Sequence, residues 1–425
     1  MEVPHDGTEK LPLRQVNQRC GSSGSQRTDV EEPNAQELVK HLDKARKEGN
    51  VIHIDPKDAE TRYSVGRKLA DGAFGVVYTA IRSFDGRQVA IKFEPRKRAC
   101  PQLRDEFRTY KVMAGCYGIP NVYYFGLVYL HNVLILDLLG PSLEDLFQAC
   151  SRRFTAKTVM MIAKQLLQRI QDLHEHSFIY RDIKPGNFLM GRPETETANV
   201  VHFVDFGMAK RYRHPKTLQH IPCQEGKSVY GTPSYMSINA HLGQEQSRRD
   251  DLEALGNVFI YFLRGHLPWQ GIKAATKRQP NEEISNKKRV TTIEELCKGF
   301  DMIWNYFQYV RKLDFEATPD YDYLRGLFSD TLRDKAEVDD GIYDWNELKQ
   351  RHWCPKAGRL NTAETLQEVK ISEMEKTQTK RLQTPLEMSH IPKRSLVSSP
   401  GQEPRLSKRT SHTRLDKHNK LKDSD

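Results

Sequence analysis

Apolar and polar positions change rhythm along the chain. Up to Arg62 the sequence is polar, and "RCGSSGSQRTD" has the make-up of a linker. Within that stretch Leu38, Leu42 and Ala45 share one helical face, closed by Gly49, which predicts a short amphipathic helix from Ala35 to Gly49. From Tyr63 the runs "YSVGRKL", "GVVYTAIR" and "QVAIKFE" are short, rich in β-branched and aromatic residues, and separated by turn residues such as "FDGR". "NVYYFGLVY" and "VLILDLL" extend this strand-rich region, and a helix from Cys100 to Gly115 interrupts it. After "LLGPSLEDLF" the period lengthens. Val159, Ile162, Leu166, Ile170 and Leu173 form a helical stripe. "RRDDLEALGNVFIYFLRG" is apolar nearly all round, as a buried central helix would be, and further helices run through "DYDYLRGLFSDTLRD". The last globular phrase, "YDWNELKQRHW", ends near Trp353. The expectation is an α+β protein in three parts. A polar, partly disordered extension (1–62) precedes a globular domain (63–353), made of a β-rich lobe to about 136 and a helical lobe from about 141. A disordered Ser/Thr/Lys/Arg-rich tail follows (354–425).

Composition changes this picture little. Of the 425 residues 37% are hydrophobic and 29% charged, a normal core diluted by polar tails. No apolar stretch is long enough to cross a bilayer, and the start "MEVPHDGTEK" lacks both an apolar signal core and a myristoylation glycine. The end "NKLKDSD" has no cysteine to carry a lipid, so no stable membrane anchor is expected. The seven scattered cysteines form no C-x-x-C pair, which points away from zinc and disulfides and toward a reducing cytoplasmic or nuclear compartment. The formal charge of +10 invites a nucleic-acid reading, but no aromatic stacking platform accompanies the basic tail, so no nucleic-acid partner is expected.

The chemistry-bearing residues form an ordered set. In "ADGAFGVV", Gly72 and Gly75 would let a hairpin backbone fold closely over phosphates. "VAIK" puts Lys92 on a strand, and Glu106 on the following helix is a suitable ion-pair partner to hold it toward the α- and β-phosphates. "FIYRDIKPGNFLM" interrupts an apolar run with Arg181, Asp182, Lys184 and Asn187, charges that are costly unless paired or used. There Asp182 would accept the proton of an incoming hydroxyl, Lys184 would neutralise the transferring phosphoryl group, and Asn187 would bind a metal ion. "VDFG" supplies Asp205 as the second metal ligand, on a turn ascribed to Gly207. Phosphoryl transfer requires in-line positioning and charge screening, which these residue types supply.

This order resembles the protein kinase signature. "GPSLEDLF", "SINAHLGQEQSRRDDLEALG" and "LPWQGIKAATKRQ" are similar to the casein kinase 1 family, particularly its fungal members, including Ser237-Ile238-Asn239 in place of Ala-Pro-Glu. The resemblance spans roughly Tyr63 to Trp353. It implies a bilobal protein-kinase fold and ATP-dependent phosphorylation of serine or threonine, with Mg2+. It also implies acidic or pre-phosphorylated protein substrates and a monomer. Nucleotide contacts then fall to Leu69, Gly72, Ala73, Phe74, Gly75, Val77, Ala90 and Lys92. Leu136, Asp137, Leu138 and Leu139 match the linker beside adenine. Asp251 matches a buried aspartate that braces the catalytic loop. Arg181, Lys210 and Lys227 match positions of a surface that binds substrate anions.

The chain departs from the family at Ala70 (usually glycine), Tyr180 (usually histidine) and Gly186 (commonly aspartate). Ser234 and Pro280 stand where the family has basic residues of the anion surface, which predicts a weaker preference for primed substrates.

Overall fold

The computed structural model describes residues 62–72, 75–96, 100–128, 130–272 and 281–346, together with the backbone of 51–53 and 279–280. The chain divides after Lys356, and residues 357–425 are outside the described set. The helix expected at 35–49, the tail, Ala73, Phe74 and Trp353 therefore lie outside the described residues.

The N-terminal lobe is an antiparallel sheet. Its strands are β1 (Val51–His53), β2 (Arg62–Gly72), β3 (Gly75–Arg82), β4 (Gln88–Pro95), β5 (Val122–Val128) and β6 (His131–Asp137), in the order β1-β2-β3-β4-β6-β5. Strand alternation decides what each face carries. Val89, Ile91 and Phe93 of β4 join Tyr78, Val133 and Ile135 in one small core. Ala90 and Lys92 point to the opposite face. There Lys92 is registered with Val77 and Leu134, and Ala90 with Leu136. Strand β1 was not foreseen: three residues pairing Val51 with Ser64 are too short to show alternation.

Helix α1 (Leu103–Val112) packs on this second face. It is shorter than the expected 100–115 helix because its start is fixed from outside. The buried Glu94 carboxylate of β4 accepts from the backbone N–H of Gln102 (2.7 Å) and Leu103, satisfying donors that a helix leaves open.

The C-terminal lobe is built on α3 (Ala156–Glu175) and α5 (Arg248–Arg264), preceded respectively by α2 (Leu143–Ala149) and α4 (Ile238–His241). It continues through α6 (Gln279–Val290), α7 (Ile293–Leu296), α8 (Asp301–Val310) and α9 (Tyr321–Asp334). The stripe Val159, Ile162, Leu166, Ile170 and Leu173 is wholly buried, as is α5 from Asp250 to Leu263. No helix among the described residues is long and apolar enough to cross a membrane.

Two small ribbons bring the chemical segments together. β7 (Phe178–Ile179) pairs with β10 (Lys210–Arg211), and β8 (Phe188–Met190) pairs with β9 (Val201–Phe203). The loop 180–187 joins β7 to β8, and the turn 204–209 joins β9 to β10. Pairing both ends of each connection forces loop and turn side by side.

Candidate active site

The loop that follows β7 is pinned before its side chains are aimed. Asp251, on α5, accepts from the backbone N–H of Tyr180 through Oδ2 (2.7 Å) and of Arg181 through Oδ1 (2.9 Å). Its Oδ2 also lies 3.0 Å from His174 Nε2, whose Nδ1 is 2.6 Å from the Tyr321 hydroxyl. Arg181 adopts the left-handed backbone conformation (φ 66°), which costs a non-glycine residue about 1–2 kcal/mol and therefore needs such a clamp. Tyr180 packs among Phe188, Phe203 and Phe206, and its hydroxyl donates to the carbonyl of Val204. The aromatic body expected of this residue thus comes with a bond to the neighbour of Asp205.

Asp182 is buried, and both of its oxygens are held. Oδ2 accepts from Lys184 Nζ (2.6 Å) and Asn187 Nδ2 (3.1 Å), and Oδ1 accepts from the Thr232 hydroxyl (2.7 Å). Asn187 Nδ2 also donates to the Asp182 carbonyl at 3.0 Å, so the amide is turned with its nitrogen inward. The backbone carbonyl of Asn187 accepts from Val204 N–H at 3.1 Å, which sets this stretch of the loop against the turn bearing Asp205.

From the other lobe Lys92 reaches across the cleft. Its ammonium bonds to Glu106 Oε2 at 2.7 Å and to Asp205 Oδ1 at 2.9 Å. Burial opposes the lysine's charge, but Asp205 and Glu106 overcome it and hold the group above the ordinary lysine value. Burial pushes Glu106 up, against the pull of Lys92. For Asp205 burial also works upward, yet Lys92, with Lys184 behind it, keeps the carboxyl below its ordinary value. An ionised Asp205 beside a charged Lys92 is the outcome.

The turn at Asp205 is made differently from expectation. Asp205 itself is left-handed (φ 64°), while Gly207 is not. A short polar side chain tolerates that conformation, and Tyr110 Oη accepts from the Asp205 N–H at 3.2 Å. At the hairpin between β2 and β3 Gly75 is the residue that must be glycine. Its φ is 123°, and a Cβ there would lie 2.1 Å from the Phe93 carbonyl oxygen. Gly72 has open space around it, and Ala70 has no positive φ. The side chain of Asp137 has a structural part. Its carboxylate is taken by Asn121 N–H and Nδ2, both at 2.8 Å, and by the Tyr123 hydroxyl, so it braces β5 against β6. Leu69, Val77, Ala90 and Leu136 lie on β2, β3, β4 and β6, and Leu138 and Leu139 follow β6.

The pair Asn187 and Asp205 offers an amide and a carboxylate, hard oxygen donors. Among the described residues no group of three or more His, Cys, Asp or Glu is placed to hold a metal. Few protein ligands with the remainder from substrate phosphate and water is the pattern that suits Mg2+, so the donor set fits.

Lys210 and Lys227 are drawn together by a residue that was not foreseen, whose charge also acts on Arg181. Glu245 is buried; Oε1 pairs with Lys210 at 2.7 Å and Oε2 lies 3.7 Å from Lys227. Arg181 stacks over the Tyr230 ring at 5.0 Å and donates from Nε to the Met208 carbonyl. Burial lowers Lys210, Glu245 opposes this, and Arg181 and Lys227 add to it. Ser234 brings no charge, and Pro280 lies where only the backbone is described. Glu245 sits in "GQEQSRRDD", where nothing in a single sequence separates it from a surface acid. His174 and Thr232 were missed for the same reason, since each acts only through a contact distant in sequence.

Comparison with known proteins agrees with this geometry. The protein kinase domain family matches residues 63–323. Casein kinase I homolog 1 of Schizosaccharomyces pombe is 60% identical over 287 residues, 67% of this chain and 64% of that protein. Casein kinase I homolog 3 of the same yeast is 54% identical over 304 residues, covering 71% and 69%. Casein kinase I homolog 2 of Saccharomyces cerevisiae is 57% identical over 301 residues, covering 71% and 55%. The chain thus spans less than two thirds of the length of two of these three relatives. With a kinase profile across most of its described residues and this likeness to casein kinase I homologues, the chain belongs to the protein kinase family, in its casein kinase I branch of serine/threonine kinases.

Proposed function

We propose that this chain transfers the γ-phosphoryl group of ATP to serine or threonine hydroxyls of protein substrates. One observation carries the reading: the bonded pair Asp182–Asn187 and the bonded pair Lys92–Asp205 are brought side by side by the backbone bond from Val204 N–H to the Asn187 carbonyl, next to Asp205. Asp182, its carboxylate aimed by Thr232, Lys184 and Asn187, accepts the hydroxyl proton and orients the oxygen for in-line attack. Lys184, bonded to that carboxylate, stands beside the transferring group and offsets its growing negative charge. Lys92, fixed by Glu106 and Asp205, holds the α- and β-phosphates, and the hairpin turning at Gly75 covers them. Asn187 and Asp205 would hold Mg2+, which supplies charge neutralisation across the phosphates when bound.

Acidic or pre-phosphorylated substrates are the preferred class. Arg181, Lys210 and Lys227 surround one carboxylate, Glu245, and so keep a net positive charge near the catalytic loop. Ser234 and Pro280 leave that surface two cations short of the family pattern, so the preference is moderate.

The test is phosphate transfer from MgATP to casein. Wild type should be active and Asp182→Asn reduced at least a hundredfold. An inactive wild type that still binds nucleotide would mark a scaffold. For the substrate class, Ser234→Arg should raise the ratio of primed to unprimed peptide use, and equal ratios in the two proteins would count against it.

A further inference from the structure

The segment 232–236 stands between the catalytic loop and the lower lobe, and its anchoring is unusual. Thr232 at its head donates to Asp182 Oδ1. The backbone N–H groups of Tyr235 and Met236 fold back onto the Thr232 carbonyl at 2.9 and 3.0 Å, closing a tight turn. Each following carbonyl is then held by a side chain from elsewhere. Pro233 O accepts from Lys288 Nζ (2.8 Å) and faces His241 Nε2 (3.1 Å). Ser234 O accepts from Trp269 Nε1 (2.7 Å), and Tyr235 O from Asn257 Nδ2 (2.8 Å). Met236 O accepts from Lys288 Nζ at 2.6 Å.

Lys288 alone grips both ends of the turn. Its side chain is 1% exposed and its ammonium lies 5.1 Å from the centre of the Trp269 ring. Among the described residues it has no ion-pair partner; the nearest influences are the charges of Glu253 and Arg311, which are themselves paired at 3.4 Å. A buried ammonium held by two backbone carbonyls and a ring face is costly, because Coulomb attraction does not repay its lost hydration. Burial lowers this lysine to about 7, against the pull of Glu253. No carboxylate repays that cost, and the donors of the side chain go to two backbone carbonyls, so what it secures is the geometry of the turn.

We propose that Lys288 is a positioning residue for phosphoryl transfer: by tying the carbonyls of Pro233 and Met236 together, it fixes Thr232 and through it the substrate-facing oxygen of Asp182. This deepens the kinase reading and rests on it. Lys288 touches no reacting atom. Its effect passes through one bond, from the Thr232 hydroxyl to Asp182, and that makes it separable from a purely structural role.

The test is a double-mutant cycle on the full chain, with casein and MgATP as substrates. Lys288→Met keeps the side chain's length and its packing on Trp269 but releases both carbonyls. Its kcat/KM for casein should fall about 10- to 100-fold, with KM for ATP unchanged. Thr232→Val removes the bond to Asp182. In that background the Lys288→Met factor should shrink to about threefold or less, since the route is already cut. A factor that does not shrink, or a Lys288→Met variant with wild-type kcat/KM, overturns the proposal. Should Lys288→Met fail to fold, Lys288→Gln, which keeps a single shorter amide donor and so cannot tie both carbonyls together, is run through the same cycle and judged by the same results. A wild type inactive toward casein sinks the kinase reading; an active wild type with an unchanged factor sinks this inference alone.

Discussion

Asp251→Asn tests whether the catalytic loop is held by a charge or merely by a shape. The carboxylate accepts from three buried donors, Tyr180 N–H and His174 at Oδ2 and Arg181 N–H at Oδ1. Asparagine has the same outline but only one acceptor oxygen. Its better orientation keeps that oxygen at the two-donor site, which turns an NH2 group toward the Arg181 N–H. The loss is one charge-assisted bond, about 1.5–3 kcal/mol, plus the cost of a buried donor left unpaired, about 1–3 kcal/mol. A net destabilisation of roughly 3–5 kcal/mol follows, with partial relaxation setting the lower end. At about 2–4 °C per kcal/mol for a domain of this size, Tm should drop by roughly 6–20 °C. Arg181 is the residue whose clamp fails, and its left-handed backbone is already strained. Release lets it move and carries Asp182 with it. A displacement near 1 Å costs about a hundredfold in rate, so kcat for casein should fall 10- to 100-fold. The Lys92, Glu106 and Asp205 network is untouched, so KM for ATP should stay within about twofold. Thermal melts and steady-state transfer assays on the same preparation measure both effects. An Asn variant with wild-type Tm and kcat would show that the clamp does not depend on the second acceptor.

Two further outcomes follow from local geometry. Gly75→Ala forces a Cβ to 2.1 Å from the Phe93 carbonyl at φ 123°, so the hairpin must distort; KM for ATP should rise several-fold, whereas Gly72→Ala, with open space and no positive φ, should behave as wild type. Comparable KM values in the two variants would contradict this account. Burial, with Lys288 adding to it, lowers His241 to about 4, below its ordinary value of 6.5. Its folded form therefore stays neutral while the unfolded chain takes up a proton, and its contribution is present above pH 6.5 and lost as pH falls toward 4. Against His241→Gln, wild type should lose about 1.5 kcal/mol more stability between pH 6.5 and pH 5, read from urea titrations at both pH values. The comparison cancels buried acids that titrate in the same range, such as Asp250, which burial raises to about 6. A stability gap that does not change with pH would refute it.

How far the site could be read from the chain depended on the range of each interaction. Alternation alone put Lys92 on the face opposite Ile91, because a strand's period is fixed by its backbone. The helical stripe on α3 was legible for the same reason. Residue type and order marked Asp182, Asn187 and Asp205, since few structures need an aspartate, a lysine and an amide inside an apolar run. Partners set by tertiary approach were not legible. Thr232, Glu245, His174 and Lys288 look like surface or core residues until the backbone that carries them is placed. Glycine was misjudged in an instructive way. Composition flagged Gly72, Gly75 and Gly207 alike, yet φ singles out Gly75, and at the Asp-Phe-Gly turn the left-handed residue is Asp205. A glycine in a motif marks where the chain turns sharply, but which residue takes the unusual φ is settled by what crowds it. At Gly75 the crowding group is the Phe93 carbonyl on the neighbouring strand. At Asp205 a hydroxyl from α1 accepts from the backbone, while Lys92 binds the side chain, so the residue that carries charge into the cleft also bends the backbone. The strain there and at Arg181 lies in the two segments that bring the carboxylates of Asp182 and Asp205 into the cleft, each held by contacts from another element. Such conformations persist only when the surroundings over-determine them, and the same contacts that hold them also aim the reactive groups.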